Sequence, residues 1–283
     1  MKWEEVVDDY FEKLGFVKGQ YFSDQQRAYY ASSLSRGKYS IAIFSFLAKR
    51  KDLKNLKMFE PGCGVGSFAL LASKQGAFAV GCDTRKDILK LGRALNRIEK
   101  GEAHFVVADC LHMPFKENFF DYAFLWDVLE HTTEQEKMLQ EVFLTLSYRG
   151  VLLSKISNRM FPVEPHTLLP FLSYLPKSKA DFFVKKFRNG FYLWYDSYEK
   201  EIQLPTYNTA KKWFEDLDDV KFYNMFLHYL PYVGEFSLKH NIMSFKLPKI
   251  LKKLFSSRAF LSIVSKWPFI VFAKDWIVVA KKS

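Results

Sequence analysis

The stretch that most constrains the fold of this 283-residue chain is a glycine-rich turn at residues 58–68. Apolar residues lead into the turn, Gly62, Gly64 and Gly66 occupy alternate positions, and residues 68–72 then have the composition of a helix. This order of strand, tight turn and helix predicts the opening of a nucleotide-binding βαβ unit. Glycine lets the backbone approach a ligand closely, and the helix start offers free N–H groups to an anionic group.

The spacing of the glycines indicates which class of ligand the turn binds. A dinucleotide fingerprint is G-x-G-x-x-G, and a P-loop requires Gly-Lys-Ser/Thr. Here Ser67 follows the third glycine, and the acid Glu60, two residues before the first, has no role in either motif. The pattern Glu60-x-Gly62-x-Gly64-x-Gly66 resembles motif I of the class I S-adenosylmethionine-dependent methyltransferases. NAD or FAD binding, and a glycine turn without a ligand, are the alternatives.

Strands and helices alternate along residues 56–157. We predict strands at 56–60, 77–82, 103–108, 122–126 and 151–157, with helices at 67–75, 87–100 and 133–146 between them. Two last strands are predicted at 220–227 and 276–280, after a helix at 207–217. The resemblance implies an α/β fold: a Rossmann-like, doubly wound, seven-stranded sheet of order 3-2-1-4-5-7-6, with strand seven antiparallel and with helical insertions.

Asp83 ends the second predicted strand, 17 residues after Gly66. A carboxylate at this place hydrogen-bonds ribose hydroxyls in such folds, because it accepts from two neighbouring O–H groups. Capping of the next helix is the simpler alternative for Asp83. Later segments, residues 109–111 after strand three and 126–131 after strand four, resemble family segments that border the cofactor. The resemblance thus implies this set of S-adenosylmethionine-binding residues: Glu60, Gly62, Cys63, Gly64, Gly66, Asp83, Thr84, Asp109, Cys110, Leu111, Trp126, Asp127 and His131.

The chain divides into four predicted regions. They are an N-terminal helical cap (1–50), the cofactor-binding core (51–157), an insertion on the substrate side after strand five (158–206) and the C-terminal part of the core (207–283), with a basic insertion at 236–274. In similar methyltransferases an N-terminal helical segment covers the cofactor and touches substrate. This makes Tyr29 and Tyr30 candidate substrate contacts, with ordinary packing of the two rings as the alternative.

Composition limits the setting and the partners. A formal net charge of +11 permits nucleic acid, an anionic membrane surface or an acidic substrate as partner. The acidic start shows no secretory signal, and no apolar run approaches the about 18 residues of a membrane span. Three cysteines without metal-binding spacing predict no metal site and favour a cytoplasmic protein. The oligomeric state cannot be read from the sequence.

Residues 236–274 lack Asp and Glu and carry eight Lys or Arg residues between apolar ones. Apolar positions 247, 250, 251, 254 and 255 form one helical face, with lysines on the other side. Such a basic amphipathic helix predicts peripheral binding to an anionic membrane, at the inner membrane surface, and presentation of a lipid-like acceptor. A helix packed on the protein, or a lid over the acceptor, are the alternatives.

The expected reaction is methyl transfer from S-adenosylmethionine to a small-molecule, lipid-linked or glycan acceptor, at oxygen. The chain has no Asn/Asp-Pro-Pro-Tyr/Phe motif after strand four, no Pro-Cys nucleophile and no appended RNA-binding module, so nucleic acid is the less favoured acceptor. His166, after strand five, is the candidate base and substrate contact, with a structural histidine as the alternative. An RNA methyltransferase and a non-catalytic binding protein of this fold remain open.

Overall fold

The structure is a computed structural model that describes residues 2–15, 21–188, 195, 197–224 and 275–283. A seven-stranded sheet lies at the centre of this part of the chain. Its strands are β1 (Lys57–Pro61), β2 (Phe78–Asp83), β3 (His104–Val107), β4 (Phe120–Trp126), β5 (Leu146–Ser157), β6 (Lys221–Asn224) and β7 (Asp275–Lys281). The helices are α1 (Trp3–Lys13), α2 (Tyr21–Ala31), α3 (Ser33–Leu47), α4 (Ser67–Ser73), α5 (Lys86–Ile98), α6 (Gln135–Thr145), α7 (Lys177–Phe187), α8 (Tyr198–Glu201) and α9 (Tyr207–Trp213).

The strand order is β3-β2-β1-β4-β5-β7-β6, which confirms the predicted topology. Strands β1 to β5 are parallel to their neighbours among themselves, and β7 is antiparallel to both β5 and β6. From β1 the chain continues to β2 and β3 on one side of β1, and then crosses back to β4 on the other side. Ligands of open α/β sheets bind at such a switch point, outside the carboxyl ends of the strands.

Strand β5 begins at Leu146, earlier than the predicted 151. Leu146 pairs with Phe120, and the register of the two strands is irregular between Phe120 and Tyr122. The end of α6 is held by Lys282, whose ammonium donates to the carbonyl oxygens of residues 143, 144 and 146 at 2.9–3.2 Å. A cation on the last carbonyls of a helix satisfies groups that lack a partner in the helix, so the chain extends directly into β5.

Both faces of the sheet are covered, and its central strands are apolar on both sides, as expected of parallel strands. On one face, a cluster with Phe59, Leu152 and Trp276 at its centre packs under α6 and α9. On the other face, Phe68 of α4 stacks on Phe124 with a ring separation of 4.0 Å. Removal of these rings from water supplies the main stabilisation of the core.

The N-terminal helices are fixed to α5. Trp3, Val7 and Phe11 line the buried side of α1 and pack with residues of α4 and α5. The hydroxyl of Tyr10 donates to Asp87 at 2.6 Å, in the first turn of α5. These contacts hold α1 and α2 beside the carboxyl edge of the sheet.

Residues of the insertion 158–206 form a small cluster of their own. The cluster contains the buried side chains Leu172, Ala180, Val184, Tyr198 and Ile202. No helix among the described residues is long and apolar enough to cross a membrane. The predicted basic insertion 236–274 lies outside the described residues, so membrane binding by it stays a prediction.

Candidate active site

The three glycines of the turn after β1 all have positive φ, between +54° and +63°. A Cβ on Gly62 would come within 2.6 Å of Val128, and one on Gly66 within 2.1 Å of the ring of Phe105. At Gly64 the same atom would meet nothing closer than 3.9 Å. Gly62 and Gly66 are therefore required by packing, whereas Gly64 leaves open space beside the backbone, which a ligand can approach closely.

Asp83 connects the end of β2 to the glycine turn. Its Oδ2 accepts from the backbone N–H of Gly64 and its Oδ1 from that of Arg85, each at 2.9 Å. The N-cap position of α5 is Arg85, so Asp83 does not cap that helix in the way the simpler alternative expected. Each carboxylate oxygen keeps a further lone pair, and the predicted contact with ribose hydroxyls remains open to it.

Glu60 is buried behind the glycine turn. Its Oε2 accepts from the backbone N–H of Ala69 at 2.9 Å, which satisfies one of the unpaired donors at the start of α4. Burial raises the pKa of Glu60 to about 8, although hydrogen bonds from Ala69 and Phe68 act in the opposite direction. Glu60 thus supports the loop from the inside; its predicted proximity to the amino group of the cofactor stays a prediction.

One cavity of about 680 Å³ opens at the carboxyl edge of the sheet. This lies within the ~300–1,000 Å³ of typical small-molecule sites. The predicted residues that line it are Tyr29, Tyr30, Gly62, Gly64, Asp83, Thr84, Asp109, Cys110, Leu111, Asp127, His131 and His166. The loops after β1 to β4, helix α2 and the insertion after β5 therefore meet around a single space.

Four predicted cofactor residues do not line this cavity: Glu60, Cys63, Gly66 and Trp126. Cys63 is buried under Gly81, where a Cβ would come within 2.8 Å of the thiol sulfur. Trp126 stacks on Phe124 at 4.5 Å, on the α4 side of the sheet. These residues shape the site from behind, and direct contact of any of them with the cofactor is still only predicted.

An acid–histidine group also lines the cavity; it consists of Glu130, His131 and His166. Glu130 and His131 lie in a short 3₁₀ turn after β4, and His166 comes from the insertion after β5. The His166 Nε2 lies 3.9 Å from Glu130 Oε1, and the two imidazole rings are 5.2 Å apart, edge to face. The group brings together side chains that are 36 residues apart in sequence at their furthest, numbered 130 and 166.

Neighbouring groups set the charges of the acid–histidine group. Burial alone would lower the pKa of His166, but the carboxylates of Glu164, Glu130 and Asp127 together raise it. Burial, together with His166, lowers the pKa of His131 to about 4. Lys155 behaves like His166: burial alone would lower the pKa of its ammonium, but Asp127 and Asp275 raise it. Asp127, a predicted cofactor residue, is bonded to Lys155.

Sequence reasoning did not assign roles to several residues of the cavity. Glu164 binds His166 Nδ1 at 2.8 Å, and its position two residues earlier in the chain could have indicated this pairing. Tyr195 stacks on His131 with a ring separation of 5.7 Å. Glu201 supplies a backbone carbonyl oxygen to His131 Nδ1 at 3.3 Å. Tyr195 and Glu201 lie more than sixty residues after His131, so no local sequence pattern indicated these contacts.

Known proteins that are similar to this chain match it in the region of the glycine turn and the central strands. Residues 59–154 match the family model described as a methyltransferase domain. Methyltransferase GfsG of Streptomyces halstedii is 29% identical over 97 residues, which cover 33% of this chain and 35% of that protein. Sterol 24-C-methyltransferase of Schizosaccharomyces pombe is 26% identical over 163 residues, which cover 53% of this chain and 41% of that protein. The chain thus spans well under two thirds of these relatives.

Among solved structures, phosphoethanolamine N-methyltransferase 2 of Haemonchus contortus, in complex with S-adenosyl-L-methionine, superimposes with a TM-score of 0.51. It is 19% identical, and the match covers 87% of this chain and 52% of that one, so the likeness concerns the fold alone.

The matched family, the sheet order and the glycine turn define a class I methyltransferase domain. Residues 59–154 match such a domain, and S-adenosylmethionine, the cofactor that motif I predicted, is the cofactor of that family. The residues fit that cofactor: the open space at Gly64 admits a ligand to the backbone, and Asp83 stands beside it with acceptor capacity to spare.

Proposed function

We propose that the chain methylates a hydroxyl oxygen of a small-molecule, lipid-linked or glycan acceptor. The observation that carries the proposal is the shared cavity: the glycine turn and Asp83 form one wall, and the acid–histidine group forms another. A hydroxyl must lose its proton during methylation, whereas a carboxylate or a free amine need not. Proton-accepting side chains in the same cavity as the glycine turn therefore favour a hydroxyl.

The residues of the site divide the work. When bound, S-adenosylmethionine supplies an activated methyl group, so positioning is the main task of the protein. Gly64 admits the ligand to the backbone, and Asp83 offers acceptors for ribose hydroxyls. Tyr29 and Tyr30 of α2 line the cavity and are the candidate contacts with the acceptor.

His166, the predicted base, belongs to the acid–histidine group. Its Nδ1 is engaged by Glu164 at 2.8 Å, so Nε2 is the nitrogen that remains for the acceptor. Glu164 also accepts from the backbone N–H and the hydroxyl of Thr167, each at 2.6 Å, which fixes the carboxylate and through it the imidazole ring. A ring held in one orientation and one tautomer is what proton transfer at a stated atom requires.

One relative bears on the nature of the acceptor. The sterol named for the fission yeast relative favours a small, apolar acceptor, although that protein is named for methylation at carbon. An RNA acceptor would use the basic surface of the chain, and no described contact favours it over a small molecule. Membrane association through 236–274, in a cytoplasmic setting, remains part of the proposal for a lipid-linked acceptor.

Transfer of a labelled methyl group tests the function. The protein is incubated with methyl-labelled S-adenosylmethionine and with sets of hydroxyl compounds, their deoxy analogues, amines, carboxylates, lipid extract and RNA. We expect label in hydroxyl compounds and none in their deoxy analogues. His166→Ala should abolish transfer and retain cofactor binding by calorimetry, while His104→Ala, on the exposed edge strand β3, should change neither. Label confined to amines, carbon or RNA would contradict the proposed acceptor.

A further inference from the structure

The acid–histidine group places three potential metal ligands around one point in the cavity. One ligand atom from each of Glu130, His131 and His166 lies within 4.8 Å of the other two. Two imidazole nitrogens and one carboxylate oxygen form a donor set that suits first-row transition metals. Proximity alone does not make a site, and the surroundings of each ligand decide the matter.

The carboxylate of Glu130 is buried without a hydrogen-bond donor in the described part of the chain. Its side chain is fully buried, and within the described residues neither oxygen accepts a hydrogen bond. Lys155, the nearby ammonium, is bonded to Asp127 and lies 3.9 Å from Asp275. A buried carboxylate without hydrogen bonds is destabilising unless a cation compensates it.

Each histidine has one ring nitrogen occupied by an oxygen acceptor. His166 Nδ1 faces Glu164 Oε1 at 2.8 Å, and His131 Nδ1 faces the carbonyl oxygen of Glu201 at 3.3 Å. A carbonyl oxygen can only accept, so Nδ1 of His131 carries the hydrogen and its Nε2 is left with a lone pair. Metal-binding histidines have this arrangement, in which an outer oxygen fixes the tautomer and orients the ring.

We propose that Glu130, His131 and His166 bind a divalent first-row transition-metal ion. Glu130 contributes a carboxylate oxygen, and each histidine contributes Nε2. With the ion bound, His166 is a ligand and no longer the base, and the ion takes over the activation of the hydroxyl. Three protein ligands leave coordination positions open toward the cavity. A hydroxyl that binds there loses its proton to solvent more readily, because the ion stabilises the resulting oxyanion as it does hydroxide from water. This role in the reaction, though not the binding of the ion, rests on the proposed O-methylation.

Cobalt is the probe for the site. The full chain is treated with a chelator, dialysed and titrated with Co²⁺, whose visible absorption reports coordination by nitrogen and oxygen. We expect one equivalent to bind and Zn²⁺ to displace it. Glu164→Gln, which removes an outer oxygen, should weaken binding about 10- to 100-fold, and Glu130→Gln and His166→Ala should weaken it at least as much. His104→Ala, an exposed histidine of β3, is the matched control and should bind Co²⁺ as the wild type does.

The wild-type titration decides the question even if a variant fails to fold. Absence of both absorption change and binding heat in the folded wild type would overturn the site and favour a purely electrostatic group, with His166 between the carboxylates of Glu130 and Glu164. Binding that survives both Glu130→Gln and His166→Ala would overturn the ligand assignment. If Co²⁺ binds but chelated protein methylates its acceptor at the loaded rate, the role in hydroxyl ionisation is wrong, and the proposed function stands.

Discussion

Alanine at Gly66 and at Gly64 should have opposite consequences, although the two glycines lie two residues apart with similar φ. Both substitutions force an L-residue into the left-handed region, at a cost of about 1–2 kcal/mol. In each case alanine also reduces the entropy of the unfolded chain, which stabilises the folded state by about 0.4–1 kcal/mol. The difference lies in what the new methyl group meets.

At Gly66 the new Cβ would lie 2.1 Å from the ring of Phe105, which must move. Overpacking of this kind costs about 1–3 kcal/mol in addition to the backbone term. We therefore expect Gly66→Ala to lower the free energy of unfolding by roughly 2–4 kcal/mol. At Gly64 the nearest atom is 3.9 Å away, so Gly64→Ala should cost only about 1 kcal/mol but obstruct the cofactor.

Urea unfolding and calorimetry with S-adenosylmethionine separate the two effects. A double-mutant cycle with Phe105→Ala isolates the steric term, because removal of the ring relieves the clash in Gly66→Ala. We expect a coupling of about 1–3 kcal/mol in that cycle and none in the same cycle with Gly64→Ala. Equal loss of stability at both glycines, or zero coupling to Phe105, would refute the reasoning from packing.

Two further predictions concern the acids beside the turn. The raised pKa of Glu60 means that the folded state binds a proton that the unfolded state releases, so stability should fall as pH rises from about 4.5 to about 8. Glu60→Gln should remove this part of the pH dependence, on the order of 1.4 kcal/mol per pKa unit, in urea unfolding at several pH values; an unchanged profile would show that Glu60 does not titrate this way. Asp83→Ala should weaken binding of S-adenosylmethionine by roughly 1–3 kcal/mol. It should also reduce stability, since the N–H groups of Gly64 and Arg85 lose their acceptor, whereas cofactor affinity equal to wild type would remove Asp83 from the site.

The sheet could be predicted because its signals are local. Each parallel strand is a short apolar run next to a helical pattern, and strand order followed from the resemblance carried by motif I. The predicted start of β5 was wrong because it depends on a residue far away in the sequence. Lys282 closes the end of α6 and lets β5 begin at Leu146, and no pattern near residue 146 indicates a partner 136 positions away.

The cofactor side of the cavity was likewise predicted from short segments, but the roles of its residues were not. Motif I marks Glu60, Gly62, Gly64 and Gly66 alike, yet only Gly62 and Gly64 line the cavity. The spacing of residues in the sequence indicates which residue types a turn requires. Whether such a residue contacts the ligand or packs inside the protein depends on its burial in the folded structure. Phe105 and Val128, which make Gly66 and Gly62 necessary, come from other strands and loops.

The acceptor side depends on how the insertion after β5 is attached, and this attachment is non-local. The backbone N–H of Gln203 donates to the carbonyl oxygen of Glu130 at 2.7 Å, and Glu201 holds His131 from the same segment. The 3₁₀ turn after β4 is thus fixed by residues about seventy positions later, numbered 201 and 203. Because the glycine turn makes none of these contacts, the insertion can change the acceptor wall without disturbing the cofactor wall.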